Sequence, residues 1–242
     1  MSEVRRDWDE LARLFLSVAM PGTFSEGRLE EGKQIGGWLL DRHPDRRPLR
    51  ILDLGAGNGG VSLGAANYVD AEVHSIDILA NPQLLALKRA SGFPMHPAVA
   101  VGEHLPFPDE TFDIVFCLET IEHVRDPGVL GKEIMRVLRP GGECMVTTPP
   151  RLRYFLKGDP HYDLPGLLLL PDRAQKFVAE RFVDEYDVVH IFWSVEEIVR
   201  CFPGASGHEA FFHRKYPSGK RWRDALWWRY RHLLWDRIVI TK

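Results

Sequence analysis

The sequence has few cysteines, no long hydrophobic run and no strong excess of either charge. Its 242 residues include three cysteines, Cys117, Cys144 and Cys201, which lie far apart and form no C-x-x-C pair. Neither a disulfide framework nor a zinc site is therefore indicated. Apolar runs such as Leu167 to Leu170 are far too short to span a bilayer. With no apolar core of a secretion signal among the first residues, these features predict a cytoplasmic protein.

The charge balance excludes a further class of partners. A net charge of -3 and an isoelectric point of about 6.4 argue against general affinity for nucleic acid. The chain is long enough to bury a sizeable core, since 45% of its residues are hydrophobic. We therefore predict one α/β domain with additions and no nucleic-acid partner.

A glycine-rich stretch, ILDLGAGNGG from Ile51 to Gly60, is the most informative feature that is present. It predicts a buried strand, a loop and the beginning of a helix. Gly55, Gly57 and Gly59 stand at alternate positions, where a side chain would keep a ligand away from the backbone and where positive φ angles are needed. This geometry suits a nucleotide-like cofactor. The loop alone leaves a nicotinamide dinucleotide open, since Gly55, Gly57 and Gly60 also satisfy G-x-G-x-x-G.

An aspartate follows the loop at the distance that a nucleotide site requires. The stretch AEVHSIDI predicts a second strand ending at Asp77, about 20 positions beyond the loop, where a carboxylate can accept hydrogen bonds from ribose hydroxyls. Strand and helix then alternate, with a short strand expected over Val99 to Val101, a near-continuously apolar strand over Phe112 to Leu118, a helix over Gly131 to Leu138 and a strand over Glu143 to Thr148. Alternation of this kind predicts a mostly parallel sheet with helices on both faces.

Four stretches taken together carry a resemblance to a known family. The order ILDLGAGNGG, HSIDI, EHLPFPDETFDIVFCLETIEHV and EIMRVLRPGGECMVTTP resembles class I S-adenosylmethionine-dependent methyltransferases of the small-molecule type. The resemblance covers roughly Leu49 to Pro149. LPFPDETFD and LRPGG have no place in the nicotinamide fingerprint. The resemblance implies a Rossmann-like sheet of seven strands, the last antiparallel, with S-adenosyl-L-methionine as cofactor.

The resemblance also implies which residues hold that cofactor. Asp53 would help to hold its amino end, the loop glycines would admit its amino-acid portion, and Asp77 would bind the ribose. Many relatives carry an aspartate for the adenine amine where this chain has Val101, so we expect the Gly102 backbone and the Glu103 side chain to bind adenine instead. The complete predicted set is Asp53, Gly55, Ala56, Gly57, Gly59, Asp77, Ile78, Gly102, Glu103, Leu118 and Glu119.

The acceptor site is expected beyond the region of resemblance. We predict a single domain with N-terminal cap helices (1–48), the cofactor-binding core (49–149), a substrate lid (150–193) and a C-terminal part (194–242) whose first helix has Ser194 as its N-cap. The expected acceptor is a small molecule, anionic or sugar-containing, methylated at a hydroxyl; nitrogen or carbon of a small metabolite is the alternative. The candidate substrate residues are Arg151, Arg153, Tyr162, His190 and Trp193.

Histidine is the natural general base for a hydroxyl acceptor, because its pKa lies near neutrality. We predict His123 or His161 in this role, with His190 as a third candidate. The alternatives are that His123 supports the backbone and that His161 is an exposed loop residue. No metal site is predicted. A nicotinamide-dependent dehydrogenase and a non-catalytic binding protein of this fold remain as rival functions.

A segment near the C-terminus, residues 219–235, is rich in arginine and tryptophan. Such a helix can lie on an anionic membrane surface or bind a phosphorylated substrate. Two acids, Asp224 and Asp236, interrupt the basic patch, so packing at a domain contact or a homodimer contact is favoured over membrane contact.

Overall fold

The computed structural model describes residues 7–18, 23–44, 48–150, 167, 170–179, 181, 190–212 and 235–242. Several predicted residues lie outside these ranges, namely Arg151, Arg153, His161 and Tyr162, together with nearly all of the basic aromatic segment. The predictions for them stay predictions.

Helices and strands alternate along the described chain. In order they are α1 (Trp8–Val18), α2 (Thr23–Arg42), β1 (Leu49–Leu54), α3 (Gly60–Tyr68), β2 (Ala71–Asp77), α4 (Pro82–Ser91), β3 (Met95–Val99), β4 (Phe112–Leu118), α5 (Pro127–Val137), β5 (Leu138–Thr147), α6 (Asp172–Ala179), α7 (Val195–Arg200), β6 (Gly207–Phe212) and β7 (Trp235–Thr241). The chain divides into two compact units. The first comprises Met1–Phe116 and Arg136–Glu143, and the second comprises Cys117–Met135 and Cys144–Lys242.

The seven strands form one sheet in the order β3-β2-β1-β4-β5-β7-β6. β1 pairs in parallel with β2, and β2 with β3, whereas β6 and β7 are antiparallel. Every residue of β4 is buried, as expected for a strand covered on both faces. The predicted α/β fold, a seven-stranded, mostly parallel sheet whose last strand is antiparallel, is confirmed. Ligands of such sheets bind beyond the carboxyl ends of the strands.

In the first unit, glycines allow α2 to lie directly against α3. A Cβ atom added at Gly32 would collide with the carbonyl of Gly60, and one added at Gly64 would collide with the carbonyl of Gly32. A Cβ atom added at Gly36 would collide with the ring of Tyr68. Because α3 begins at the glycine loop, the packing of α2 against α3 helps to hold the loop in position.

The C-terminal end of α2 is fixed by an ion pair. Arg42 donates from Nε and Nη2 to Glu143 Oε1 at 3.1 and 2.6 Å, and His43 Nε2 lies 3.8 Å from the same carboxylate. The Glu143 side chain is only 9% exposed, so the two-nitrogen contact compensates for removing its charge from water. This contact ties α2 to β5.

Three predicted boundaries were wrong. The third strand is Met95–Val99 rather than Val99 to Val101. The strand contains Pro97, and β3 is an edge strand of the sheet, where a missing N–H is tolerated. α5 begins at Pro127 instead of Gly131, and β5 begins at Leu138 directly after it. The Pro-Gly-Gly sequence therefore lies within the strand, where Gly141 has a φ of 75°.

Candidate active site

The glycine loop is attached to the end of β2 by backbone hydrogen bonds. The N–H groups of Gly55 and Ala56 both donate to the carbonyl of Ile76, at 2.9 and 3.0 Å. Gly55, Gly57 and Gly59 all have positive φ angles, of 77°, 52° and 85°, a region that side chains disfavour. The expectation that the loop needs glycine for its backbone conformation is therefore met at all three positions.

Two of these glycines face different surroundings. A Cβ atom at Gly59 would lie 2.6 Å from Leu84 Cδ1 and 3.1 Å from Leu87 Cδ2, so its missing side chain allows the loop to pack on α4. At Gly57 a Cβ atom would meet no other atom of the described residues within 4 Å. The backbone at Gly57 is therefore the part of the loop that a ligand can approach.

Asp77 lies beside that part of the loop. Its Oδ2 accepts a hydrogen bond from the N–H of Gly57 at 3.0 Å, and its Oδ1 accepts a weaker one from the N–H of Leu79 at 3.4 Å. Each carboxylate oxygen can accept a second hydrogen bond. The structure thus places Asp77, the predicted ribose ligand, next to Gly57, one of the glycines predicted to admit the amino-acid portion of the cofactor.

Asp53 occupies a different position from Asp77, because its side chain is turned into the interior. The residue is 3% exposed, and Oδ2 accepts a 2.5 Å hydrogen bond from the Ser62 hydroxyl, which lies 2.7 Å from that of Ser75. Burial raises the pKa of Asp53 from 3.8 to about 6, against the opposing effects of the Ser62 hydrogen bond and the Arg28 charge. Direct contact between this carboxylate and a cofactor amine stays a prediction.

Exposed apolar side chains follow the ends of β2 and β3. Ile78 is 66% exposed, Leu79 is 73% exposed and Val101 is 54% exposed. Large aliphatic side chains on the surface close to a polar loop are typical of a ligand surface. Gly102, next to Val101, is buried, and Glu103 is half-buried. An apolar wall with a carboxylate nearby suits a heteroaromatic ring that carries an amino group.

In the second unit, β4 ends in a strained turn. Leu118 is 3% exposed, and Glu119 has a φ of 50°, an unusual value for a residue with a side chain. The Glu119 N–H donates to the carbonyl of Thr147 at 2.9 Å and to its hydroxyl at 3.1 Å. Strain held by such contacts is frequent at functional sites.

Comparisons with known proteins agree with this geometry. The model of the family described as "Methyltransferase domain" matches residues 52–146. A ubiquinone/menaquinone biosynthesis C-methyltransferase of Geobacter sulfurreducens is 31% identical over 70% of this chain and 68% of its own length. The chain belongs to the class I S-adenosylmethionine-dependent methyltransferases. The family's cofactor, S-adenosylmethionine, is that expected from the sequence, and the dehydrogenase alternative is set aside.

Two other similarities define how far this assignment extends. A malonyl-[acyl-carrier protein] O-methyltransferase of Halorhodospira halophila is 32% identical over 76% of this chain, which spans 58% of that relative's length. A solved structure from Galdieria sulphuraria, assigned as a sarcosine dimethylglycine methyltransferase, has a TM-score of 0.60, 15% identity and 98% coverage of both chains. At this identity the structural similarity supports the fold alone.

The residues present fit the methyltransferase cofactor. The first unit offers three kinds of contact surface. They are the open backbone at Gly57, the hydrogen-bonding carboxylate of Asp77 and the apolar side chains of Ile78 and Val101. These match the amino-acid portion, the ribose and the adenine of the cofactor in type. The individual assignments of these residues to the cofactor remain proposals.

A backbone hydrogen bond in the second unit brings the segments of two predicted acceptor-site histidines, His123 and His190, next to each other. His123 is exposed in the turn after β4, and its N–H donates to the carbonyl of Thr120 at 3.0 Å. The N–H of His190 donates to the carbonyl of Glu122 at 2.8 Å. The segment before α7 is thereby attached next to His123. Cooperation between the two imidazoles stays a prediction.

Trp193 lies just before α7 and is 48% exposed. Its N–H donates to Glu197 Oε2 at 2.7 Å, while Ser194 Oγ accepts from the N–H of Glu197 at 3.4 Å. These reciprocal contacts confirm that Ser194 is the N-cap of α7. They also fix the backbone from which the Trp193 ring projects.

Sequence reasoning missed the serines that surround Asp53. Ser62 and Ser75 are both fully buried and come from α3 and β2, so only the fold brings them to β1. The inward-facing position of Ser75 in an alternating strand was the one available signal. Among the described residues, no group of histidine, cysteine and acidic side chains is arranged to hold a metal ion, and none of the described helices is long and apolar enough to cross a membrane.

Proposed function

We propose that this protein transfers the methyl group of S-adenosylmethionine to a hydroxyl of a small-molecule acceptor, such as a sugar or a natural-product intermediate that carries an anionic group. The observation that supports the cofactor half of this proposal is the contact between Asp77 and Gly57 at the open part of the glycine loop. The similarity to a relative named as an O-methyltransferase supports oxygen as the target. Nitrogen and carbon are the alternative targets.

The bound cofactor supplies a methyl group on a positively charged sulfur, which a nucleophile attacks in line. The chain's own residues are proposed to position it. Gly57 leaves room beside the backbone, Asp77 accepts hydrogen bonds from the ribose, and Glu103 accepts one from the adenine amine. Leu118 and Glu119 flank the methionine part. Asp53 is proposed to help to hold the amino end of the cofactor, as the resemblance implies.

For a hydroxyl acceptor, the proposed general base is a histidine. The imidazole would accept the proton that the acceptor hydroxyl loses as its oxygen is methylated. His123 is the first candidate in the described chain, because it is exposed after the strained end of β4 and the His190 segment is attached beside it. His161, outside the described residues, is the second candidate. Arg151, Arg153 and Tyr162 are proposed to contact the acceptor with Trp193.

The cytoplasm is the proposed compartment, since the cysteines are free thiols. Burial raises the pKa of the Cys117 and Cys144 thiols well above the usual range, so these two serve packing and not reactivity. The single-domain organisation, with a lid at 150–193, and a homodimer contact through the C-terminal tryptophans are retained as proposals.

The first test is a thermal unfolding experiment with S-adenosylmethionine, S-adenosylhomocysteine and NAD. A ligand that binds only the native state raises the melting temperature, so both sulfur compounds should stabilise the protein. Stabilisation by NAD alone would overturn the assignment. A donor-consumption screen over hydroxyl, amine and carbon acceptors then identifies the target atom.

The histidine hypothesis is tested with the acceptor that the screen identifies. We expect His123→Ala or His161→Ala to lower kcat by about 100-fold or more, because positioned acid–base catalysis contributes on that order, with unchanged affinity for S-adenosylhomocysteine. Normal turnover in both variants would refute the hypothesis.

A further inference from the structure

The segment between β3 and β4, residues 100–111, contains no helix or strand. It carries Gly102 and Glu103, the proposed adenine contacts. A segment without a ladder of backbone hydrogen bonds owes its position to side chains that bind its carbonyl and N–H groups. What holds these carbonyls in place therefore determines where Glu103 lies.

Arg136, in the last turn of α5, makes three hydrogen bonds to this segment. Its Nη2 donates to the carbonyl of Leu105 at 3.0 Å. Its Nη1 donates to the carbonyl of Phe107 and to Oδ1 of Asp109, both at 2.8 Å. The first of these carbonyls lies two residues beyond Glu103. One guanidinium thus fixes three alternate residues of the segment.

The segment is fixed on its apolar side as well. Leu105 is 4% exposed, and the ring of Phe107 packs edge to face on that of Phe112 at 4.9 Å. The backbone carbonyl of Arg136 accepts from the N–H of Glu110 at 3.0 Å. The arginine therefore binds the segment through its side chain and its main chain, next to the buried Leu105 and the half-buried Phe107.

We propose that Arg136 is a positioning residue for the cofactor, which holds residues 102–109 so that Gly102 and Glu103 are already placed for the adenosine part before it binds. This proposal rests on the proposed assignment of those two residues. A loop that is ordered beforehand loses less conformational entropy on binding, so loosening it weakens affinity without removing any cofactor contact.

Arginine suits this task better than lysine. The planar guanidinium presents several N–H donors from three nitrogens in fixed directions, whereas an ammonium group carries its donors on a single nitrogen. Lysine at this position can keep the charge and one of the three hydrogen bonds. The variant Arg136→Lys therefore removes the geometry while it disturbs packing and charge as little as the chain allows.

Arg139 provides a matched control three residues further on. Its Nε donates to the carbonyl of Glu110 at 3.2 Å, and its Nη1 donates to Asp113 Oδ1 and Oδ2 at 3.0 and 3.1 Å. Its side chain is 38% exposed, compared with 30% for Arg136. It contacts the end of the segment that is remote from Glu103, so Arg139→Lys should affect folding without an effect specific to adenosine.

The test measures binding of S-adenosylhomocysteine and of 5′-methylthioadenosine by calorimetry, together with the melting temperature of each ligand-free variant. For Arg136→Lys we expect a Kd about 10-fold higher for both ligands, the size of one or two lost charge-assisted hydrogen bonds. For Arg139→Lys we expect less than about a twofold change, as for sites away from a ligand. Methylthioadenosine lacks the amino-acid portion and so reports on the adenosine side alone.

The possible outcomes separate this proposal from the function on which it rests. A wild-type protein that binds neither ligand would overturn the proposed function and this proposal with it. Wild-type binding with an unchanged Kd in Arg136→Lys overturns the positioning role alone. So does an equal loss of affinity in Arg139→Lys, or a loss for S-adenosylhomocysteine that methylthioadenosine does not share. Arg136→Ala is a second variant, and its ligand-free melting temperature shows whether it has folded.

Discussion

The buried carboxyl of Asp53 makes folding stability depend on pH in an unusual direction. Its pKa is raised from 3.8 to about 6, first because burial disfavours the charged form. Between these two pH values the folded state binds the proton and the unfolded state releases it, so stability falls as pH rises. The contribution of this carboxyl to folding stability is fully present below pH 3.8 and is lost as pH rises through about 6.

The size of the effect follows from the same two pKa values. Relative to low pH, where the carboxyl is protonated in both states, linkage lowers the free energy of unfolding by about 1.6 kcal/mol at pH 5 and about 3 kcal/mol at pH 8. The difference between the two pH values is about 1.4 kcal/mol. Asp53→Asn removes the titration and keeps an oxygen that can accept from Ser62 Oγ. The free energy of unfolding of the wild type minus that of Asp53→Asn should therefore fall by about 1.4 kcal/mol from pH 5 to pH 8.

Urea unfolding of the ligand-free protein at half-unit pH intervals measures this difference directly. Taking the difference between two variants cancels the other titrating groups, because they are common to both. Asp70→Asn, at an exposed position at the end of α3, is the control for the loss of one negative charge. Parallel pH profiles for the wild type and Asp53→Asn would refute the buried-carboxyl reasoning.

Two further predictions concern the cofactor loop and the adenine side. Gly57→Ala should cost only about 1 kcal/mol of stability, because of the positive φ at this position, yet it should strongly raise the Kd of S-adenosylhomocysteine. Gly59→Ala should cost about 2–4 kcal/mol of stability, because its Cβ atom also meets Leu84. Urea unfolding measures the stability and calorimetry the Kd of both variants, and equal losses of stability would contradict this reasoning. Glu103→Ala should raise the Kd of S-adenosylhomocysteine about 10-fold, because it removes the carboxylate proposed to take the place of the aspartate that many relatives carry at the position of Val101. An unchanged Kd would exclude Glu103 from the adenine site.

The sequence was most informative where neighbours along the chain are also neighbours in space. β4 was predicted with the bounds that the structure has, because a run of apolar residues identifies a strand covered on both faces. The position of Asp77 at the end of β2 followed from spacing, since a strand, a loop, a helix and a second strand leave one place for the acid. Its hydrogen bond with the Gly57 N–H was not predicted.

The sequence was least informative where the fold joins distant residues. Gly59 could be predicted as a residue of the cofactor loop but not as a packing contact of α4, because Leu84 is 25 positions away. The environment of Asp53 depends on Ser62 and Ser75, which reach it from two other elements. Burial raises its pKa and the Ser62 hydrogen bond opposes that rise, and both depend on contacts with other elements that no local pattern contains.

Two of the four stretches that indicated the family are joined by hydrogen bonds in the structure. Arg136 and Arg139, from the stretch EIMRVLRPGG, bind carbonyls and carboxylates between Leu105 and Asp113, the stretch that contains LPFPDETFD. Their hydrogen bonds order an irregular segment at one end of which the adenine contacts are proposed. If the proposed adenine contacts hold, a sequence signature can identify a cofactor without touching it, because these side chains fix the conformation of the segment that carries the contacts. The pair therefore carries more information about function than either motif does separately, because each supplies the partner that the other needs.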